Sequence, residues 1–222
     1  SKIDPSLVED IKSPTVYCTS NPKTYRVIFE ILEEIIEVFK PEIINLSHDE
    51  AQLCFGKRKI GVCERCKNLT CWKIYAEDVN KLHGFLKNKK IRMCLWGDML
   101  LDHRKFKEDN CNGANGNVCK AIDLIPKDIL IQDWHYGNLP SYPSLKYFRE
   151  KGFEVYPAVF FNAKAIASFT RYAKKTGMNK GAIATTWAVP VIKELPIEAI
   201  YIASQLFWNP ENNLNKLKEE AY

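Results

Sequence analysis

Residues 41–50 read PEIINLSHDE, and they hold the groups most able to do chemistry. Ile43, Ile44 and Leu46 form an apolar run that stops abruptly on His48, Asp49 and Glu50. Consecutive residues on a strand point to opposite faces. Both carboxylates can therefore serve one pocket only where the strand ends and twists. An isolated Asp-Glu pair reads as a helix cap or a surface pair, but a pair that directly ends an apolar strand favours a site.

Aromatic residues recur at corresponding places. Trp96, Trp134 and Trp187 each close an apolar run, Tyr136 stands beside the second, Asp98 follows the first, and Asn162 ends the run AVFFN. One tryptophan alone reads as core packing. Three at matching positions favour an aromatic-walled pocket, since aromatic faces pack on the C–H faces of sugar rings while carboxylates bind hydroxyls. A third group is CFGKRKIGVCERCKNLTC, which supplies Cys54, Cys63, Cys66 and Cys71. Four thiols are what a closed structural zinc site needs, with free thiols or a disulfide as the alternatives. The Cys-x-x-Cys does not lead from a strand into a helix, as a redox motif of the thioredoxin type would. A structural zinc is thus the candidate cofactor, with none required for catalysis.

The elements that must position these groups follow from periodicity. Residues 24–39 carry apolar side chains at helical spacing, with Asn21 or Thr24 as cap and Pro41 as stop. The strand PEIINLS, the Cys-rich excursion at 54–72, a helix over 74–87 and the strand IRMCLW come next. A polar loop (EDNCNGANGN), a short helix and the strand DILIQDW follow, then a helix over 143–151 and the strand FEVYPAVFF. A helix over 163–174, the strand GAIATTW and a helix over 194–207 complete the pattern. Apolar strands alternating with helices indicate a parallel α/β sheet, and no glycine-rich phosphate loop follows any strand. Polar and aromatic residues crowd the C-terminal ends of the strands, as in a (β/α)8 barrel, whose active site is built there.

Bulk properties exclude several classes. The 222 residues are enough for a single domain with a full core, and 46% hydrophobic with 27% charged residues is an ordinary globular composition. The net charge of +5 is spread among glutamates along helical stretches. It does not form the basic face that nucleic-acid binding uses, so no nucleic-acid partner is expected. No apolar run reaches the roughly 18 residues of a membrane helix and no signal peptide opens the chain, so no membrane partner is expected. Cys94, inside IRMCLW, behaves as a small hydrophobe, and a reduced, cytoplasmic protein is the simpler account of eight cysteines. The opening Ser-Lys-Ile, without Met, reads as the start of a processed or truncated chain.

The run YCTSNPKTYRVIFEILEEIIEVFKPEIINLSHDE resembles the segment of glycoside hydrolase family 20, the β-N-acetylhexosaminidases, that leads into its Asp-Glu pair. In that family Asn-Pro-x-Thr opens the helix before the fourth barrel strand. IYAEDVNKLHGFLKNKKIRMCLWGDML is similar to the following helix and fifth strand, with Trp-x-Asp at its end. The resemblance spans residues 15–210 and implies a (β/α)8 TIM-type barrel of which this chain carries about the last five units. It implies a retaining hydrolase for terminal β-linked N-acetylhexosamine, in which the substrate's own acetamido oxygen is the nucleophile. Asp49 would hold the acetamido N–H and Glu50 would be the acid and base. His48, Trp96, Asp98, Trp134, Tyr136, Asn162 and Trp187 would line the sugar site. The chain departs from the family pattern in three places. Ser47-His48 replaces Gly-Gly, Trp187-Ala188-Val189 replaces Trp-x-Glu, and the first three strands with their arginine have no counterpart before residue 24. The alternative is a non-catalytic carbohydrate-binding fragment. An open barrel edge would invite pairing with the missing half or with a second copy.

Overall fold

The computed structural model describes residues 4–51, 60–177, 180–187 and 197–221. It groups the chain into two compact units, residues 1–105 with 111–129 and residues 106–110 with 130–222.

The first unit opens with a short antiparallel bridge between Val8 and Tyr17 and then α1 (Pro22–Phe39). Asn21, not Thr24, is the cap: its side chain accepts from the Lys23 N–H, and Pro22 takes the first helical position, where its missing donor costs nothing. Lys40, left-handed at φ 46°, ends the helix and donates its N–H to Ile36. β1 (Ile43–Asn45) pairs in parallel with β2 (Arg92–Trp96), with Ile44 opposite Met93. Between them lies α2 (Cys71–Asn88), which buries Ile74, Tyr75, Val79, Leu82 and Leu86. α1 buries only Thr24, Tyr25 and Leu32. Val27, Ile31, Ile35 and Val38 form an exposed apolar stripe on it, and Ile43 of β1 is exposed as well. The short helix expected after the Asn/Gly-rich loop is a 3₁₀ run, Asn115–Asp123, kinked where Gly116 and Asn117 take positive φ.

The second unit repeats the parallel strand–helix pattern. β3 (Leu130–Trp134), α3 (Pro143–Glu150), β4 (Glu154–Val159), α4 (Ala163–Lys175) and β5 (Ile183–Ala184) follow in order, with β3 on β4 and β4 on β5 in parallel. α5 (Ile197–Trp208) forms where a last helix was expected. α6 (Leu214–Glu220) was not anticipated, because a seven-residue, mostly charged segment carries little periodicity. Among the described residues, no helix is long and apolar enough to cross a membrane.

Under β3 lies a buried charge network. Burial alternates along this strand: Asp133 and His135 are fully buried, while Gln132, Trp134 and Tyr136 are half-buried on the other face. His135 Nδ1 lies 2.8 Å from Asp109 Oδ1, and Nε2 lies 3.0 Å from Ser144 Oγ and 3.1 Å from Asp133 Oδ1. Ser144 donates its hydroxyl to Asp133 at 2.6 Å and its N–H to Glu108 at 2.7 Å. Burial works against the imidazolium, but the Asp133 charge and the hydrogen bond to Asp109 outweigh it and push His135 up to about 10. A raised histidine stabilises the fold fully below its unfolded value, near 6.5, and that contribution is lost as pH rises through the folded value. Chemical denaturation should therefore find the protein less stable at pH ~9.5 than at pH ~6. His135→Ala should cost about 3–5 kcal/mol at neutral pH, since it leaves buried carboxylates unpaired. A wild-type stability unchanged between those two pH values would rule out the buried imidazolium.

Candidate active site

β1 is short, but its pairing continues beyond its last strand residue: the Leu46 N–H donates to Cys94 and the Trp96 N–H donates to Ser47. The chain then turns sharply. Ser47, His48 and Glu50 have φ of 59°, 67° and 47°, a region that costs an L-residue roughly 1–2 kcal/mol. The turn persists because it is held at four points. Ser47 N–H donates to Asn45 Oδ1 at 2.6 Å, and Tyr75 donates its hydroxyl to the His48 carbonyl at 3.3 Å. Glu50 N–H donates to Asp98 Oδ2 at 2.9 Å, and the His48 ring is tied down by Leu46 and Asp78. This left-handed turn is what lets adjacent carboxylates leave the alternation of a strand.

The His48 ring spans two acceptors. Nδ1 sits 2.7 Å from the Leu46 carbonyl and Nε2 sits 2.9 Å from Asp78 Oδ2. A carbonyl and a carboxylate can only accept, so both nitrogens donate and the ring is an imidazolium. Burial opposes that charge, and the hydrogen bond and charge of Asp78 overcome it, leaving His48 above its ordinary value. Asp78 also accepts from Tyr17 and Tyr25, each at 2.7 Å. Burial raises it, but these donors, His48 foremost, bring it below the usual carboxylate range. Both nitrogens of His48 are engaged within the protein, so the residue supports the turn, and it also lines the cavity that the turn borders.

The turn borders a cavity of about 420 Å³, within the size range of small-ligand sites. Asp49, Glu50, Tyr17, Tyr75 and Asp78 are among the residues lining it. Glu50 lies above its usual value, through partial burial first and the Asp49 charge second. Trp96, expected as a wall, is buried on β2 and does not line this cavity. Asp98 is also buried and accepts both the Glu50 N–H and the Asn112 side-chain amide at 2.9 Å, which anchors the turn. Tyr17, Tyr75 and Asp78 had not been singled out from the sequence. Of these, Asp78 left a trace, as a carboxylate on the buried stripe Tyr75–Asp78–Val79–Leu82 of α2.

In the second unit, Trp134 and Tyr136 pack with ring centroids 5.0 Å apart. Trp187 donates its indole N–H to the Tyr136 hydroxyl at 2.6 Å, so three expected site residues form one aromatic group. Asn162 caps α4, its side-chain oxygen accepting from the Lys164 and Ala165 N–H groups. Of the four candidate metal ligands, Cys54 lies outside the described residues. Cys63 and Cys66 gather with Cys18 and not with Cys71. Cys71 opens α2, where helix geometry directs its thiol to the Ile60 carbonyl.

Two measurements test this site. Ser47→Val should lower stability by about 1–2 kcal/mol, because a β-branched residue tolerates the left-handed region poorly, whereas Ser47→Gly should not lower it. In Asp78→Asn the imidazole titration of His48, followed by NMR, should move to lower pH, since burial then acts with less opposition. An unmoved titration would show that Asp78 does not hold the charge.

The description Glycosyl hydrolase family 20, catalytic domain, matches residues 5–182. Among solved structures, the chain is similar to Flavobacterium johnsoniae chitobiase at 16% identity and TM-score 0.62, covering 93% of this chain and 32% of that one. It is similar to a Vibrio harveyi exo β-N-acetylglucosaminidase, in complex with N-acetylglucosamine, at 14% identity and TM-score 0.55, covering 96% and 33%. Dispersin B aligns at 14% identity and TM-score 0.53, covering 90% and 61%. No curated protein matches the chain. The chain thus spans between about a third and three-fifths of the length of these three structures. Likeness at this identity shows the fold, an α/β chain that carries part of a TIM-type barrel. With the family description covering most of its length, the chain belongs to the catalytic domain of glycosyl hydrolase family 20.

Proposed function

We propose that this chain carries the acid–base machinery of a β-N-acetylhexosaminidase, acting on terminal β-linked N-acetylglucosamine or N-acetylgalactosamine with retention of configuration. The observation that supports it most is the carboxylate pair at the end of β1, beside a cavity, with Glu50 raised by burial and by Asp49. A raised carboxyl is suited to donating a proton near neutral pH.

In the proposed reaction, the 2-acetamido carbonyl oxygen of the substrate attacks the anomeric carbon as the glycosidic C–O bond breaks. Glu50 gives its proton to the departing oxygen. Asp49 accepts the acetamido N–H and stabilises the positive charge of the oxazolinium ion. Water then adds to the anomeric carbon and gives its proton to Glu50, which restores the acetamido group and the enzyme. Within the second unit, Trp134, Tyr136 and Trp187 form an aromatic group of the kind that packs against sugar rings.

A second reading, carbohydrate binding without turnover, is supported by the aromatic group of Trp134, Tyr136 and Trp187, which would bind a sugar with or without hydrolysis. A chromogenic N-acetyl-β-glucosaminide separates the two. Under the first reading, wild type turns it over, and Glu50→Gln lowers kcat by about 10²–10⁴-fold with little change in KM. Asp49→Asn should lower it by about 10²–10³-fold. If neither wild type nor variants turn over but N-acetylglucosamine still binds by calorimetry, the binding reading replaces the catalytic one.

A further inference from the structure

Three cysteines from two distant segments converge beside the cavity. Cys18 and Cys66 are fully buried and Cys63 is half-buried. The Cys18 sulfur lies 3.5 Å from that of Cys63 and 3.7 Å from that of Cys66, and all three lie within 4.8 Å of one another. A disulfide would need about 2.05 Å, and all three thiols are free. Tetrahedral Zn²⁺ with Zn–S near 2.3 Å would hold its thiolates about 3.8 Å apart, so the two spacings to Cys18 are close to the edges of such a tetrahedron. The turn that carries Cys63 and Cys66, with Cys66 and Lys67 N–H groups both donating to the Cys63 carbonyl, brings their sulfurs together.

A second, independent feature sits on the same turn. The Glu9 side chain is 5% exposed, and its Oε2 accepts from the Val62 and Cys63 N–H groups at 2.9 Å. Its Oε1 is buried with no nitrogen or oxygen donor among the described residues, and the carboxylate lies against the Cys63 and Cys66 thiols, whose ionisation it opposes. A buried carboxylate oxygen left unsatisfied is costly, and a cation would satisfy it. Ser20 Oγ lies 3.2 Å from Cys66 Sγ, placed to hydrogen-bond a thiolate there. Cys94 shows the contrast: it is buried within β2, outside the convergent group, as a small hydrophobe.

We propose that Cys18, Cys63 and Cys66 form a structural zinc site, with the Glu9 carboxylate, which lies on the same turn but outside the three-thiol group, moving in to take the fourth position. Three thiolates and one carboxylate suit Zn²⁺, whereas Ca²⁺ and Mg²⁺ take oxygen ligands. The ion fastens the segment before α1 to the loop before α2. Both supply walls of the cavity, through Glu9 and Tyr17 on one side and Ile60 on the other. The site stands apart from the hydrolase reading, because none of its ligands takes part in the proposed chemistry and its test does not use activity.

The test measures metal on the purified chain and follows titration with Zn²⁺ or Co²⁺ after stripping with a chelator. The expected result is about one zinc per chain, a lower thermal midpoint after stripping that is restored by zinc, and a thiolate-to-cobalt charge-transfer band in the near ultraviolet. Cys18→Ser and Cys63→Ser should lose the band, and Glu9→Gln should bind roughly tenfold or more weakly. Cys54→Ser, Cys71→Ser and Cys94→Ser should bind as wild type does. Far-ultraviolet circular dichroism of each variant separates loss of metal from loss of fold. A wild-type chain that holds no stoichiometric zinc and gives no cobalt band overturns the site whatever the variants do. Unchanged binding in Glu9→Gln, with loss in Cys54→Ser, overturns the four-ligand assignment.

Discussion

The buried carboxylate of Asp78 is the constraint on which the first unit turns. It accepts from Tyr17 before α1, from Tyr25 on α1 and from His48 past β1, so one side chain of α2 ties down three other pieces of chain. A buried carboxylate is tolerable only when its oxygens are satisfied. Here each oxygen has at least one donor, and one donor is a cation. The network fixes a geometry that apolar contacts alone would leave adjustable, because a hydrogen bond is lost over a displacement that dispersion would absorb. The direction of α1, the turn after β1 and one wall of the cavity follow from it.

That turn shows how strain and support are matched. Where the family places two glycines, this chain places Ser47 and His48 in glycine-like backbone conformations. The cost is offset locally: the imidazolium of His48 fills the space above Asp78 and returns two hydrogen bonds. Tyr75 and Asp98 hold the carbonyl and N–H groups that the turn would otherwise leave unpaired. Strain of this kind persists at functional positions because the surroundings over-determine it. Its effect here is to carry Asp49 and Glu50 off the strand together and to bring Glu50 under the influence of its neighbour's charge.

The second unit uses charge differently. The alternation of β3 sends Asp133 and His135 inward to a closed network with Asp109 and Ser144, while Trp134 and Tyr136 emerge on the opposite face. One strand thus provides both a rigid foundation and an aromatic surface, and the period of two in its side chains keeps them apart. The Asp109 carboxylate accepts from the Tyr136 and Gly137 N–H groups as well, so the foundation also fixes where the aromatic surface begins.

The sequence by itself determined the order of the main strands and helices and the position of the Asp49–Glu50 pair, because these depend on local periodicity and on residues adjacent in the chain. The runs at β2 and β4 and the apolar climb into His48 were legible in this way, whereas Asn21 and Thr24 both offered themselves as caps until the fold used Asn21. Sequence alone did not reveal which distant side chains would meet. That Asp78 would serve Tyr17, Tyr25 and His48, or that Cys63 and Cys66 would gather with Cys18 and not with Cys71, depends on how α2 lies against the segments around it. The role of His48 was likewise decided in three dimensions. A histidine beside two carboxylates reads either as a group that meets a ligand or as a hydrogen-bonded support, and the acceptors at its two ring nitrogens become neighbours only when the chain folds.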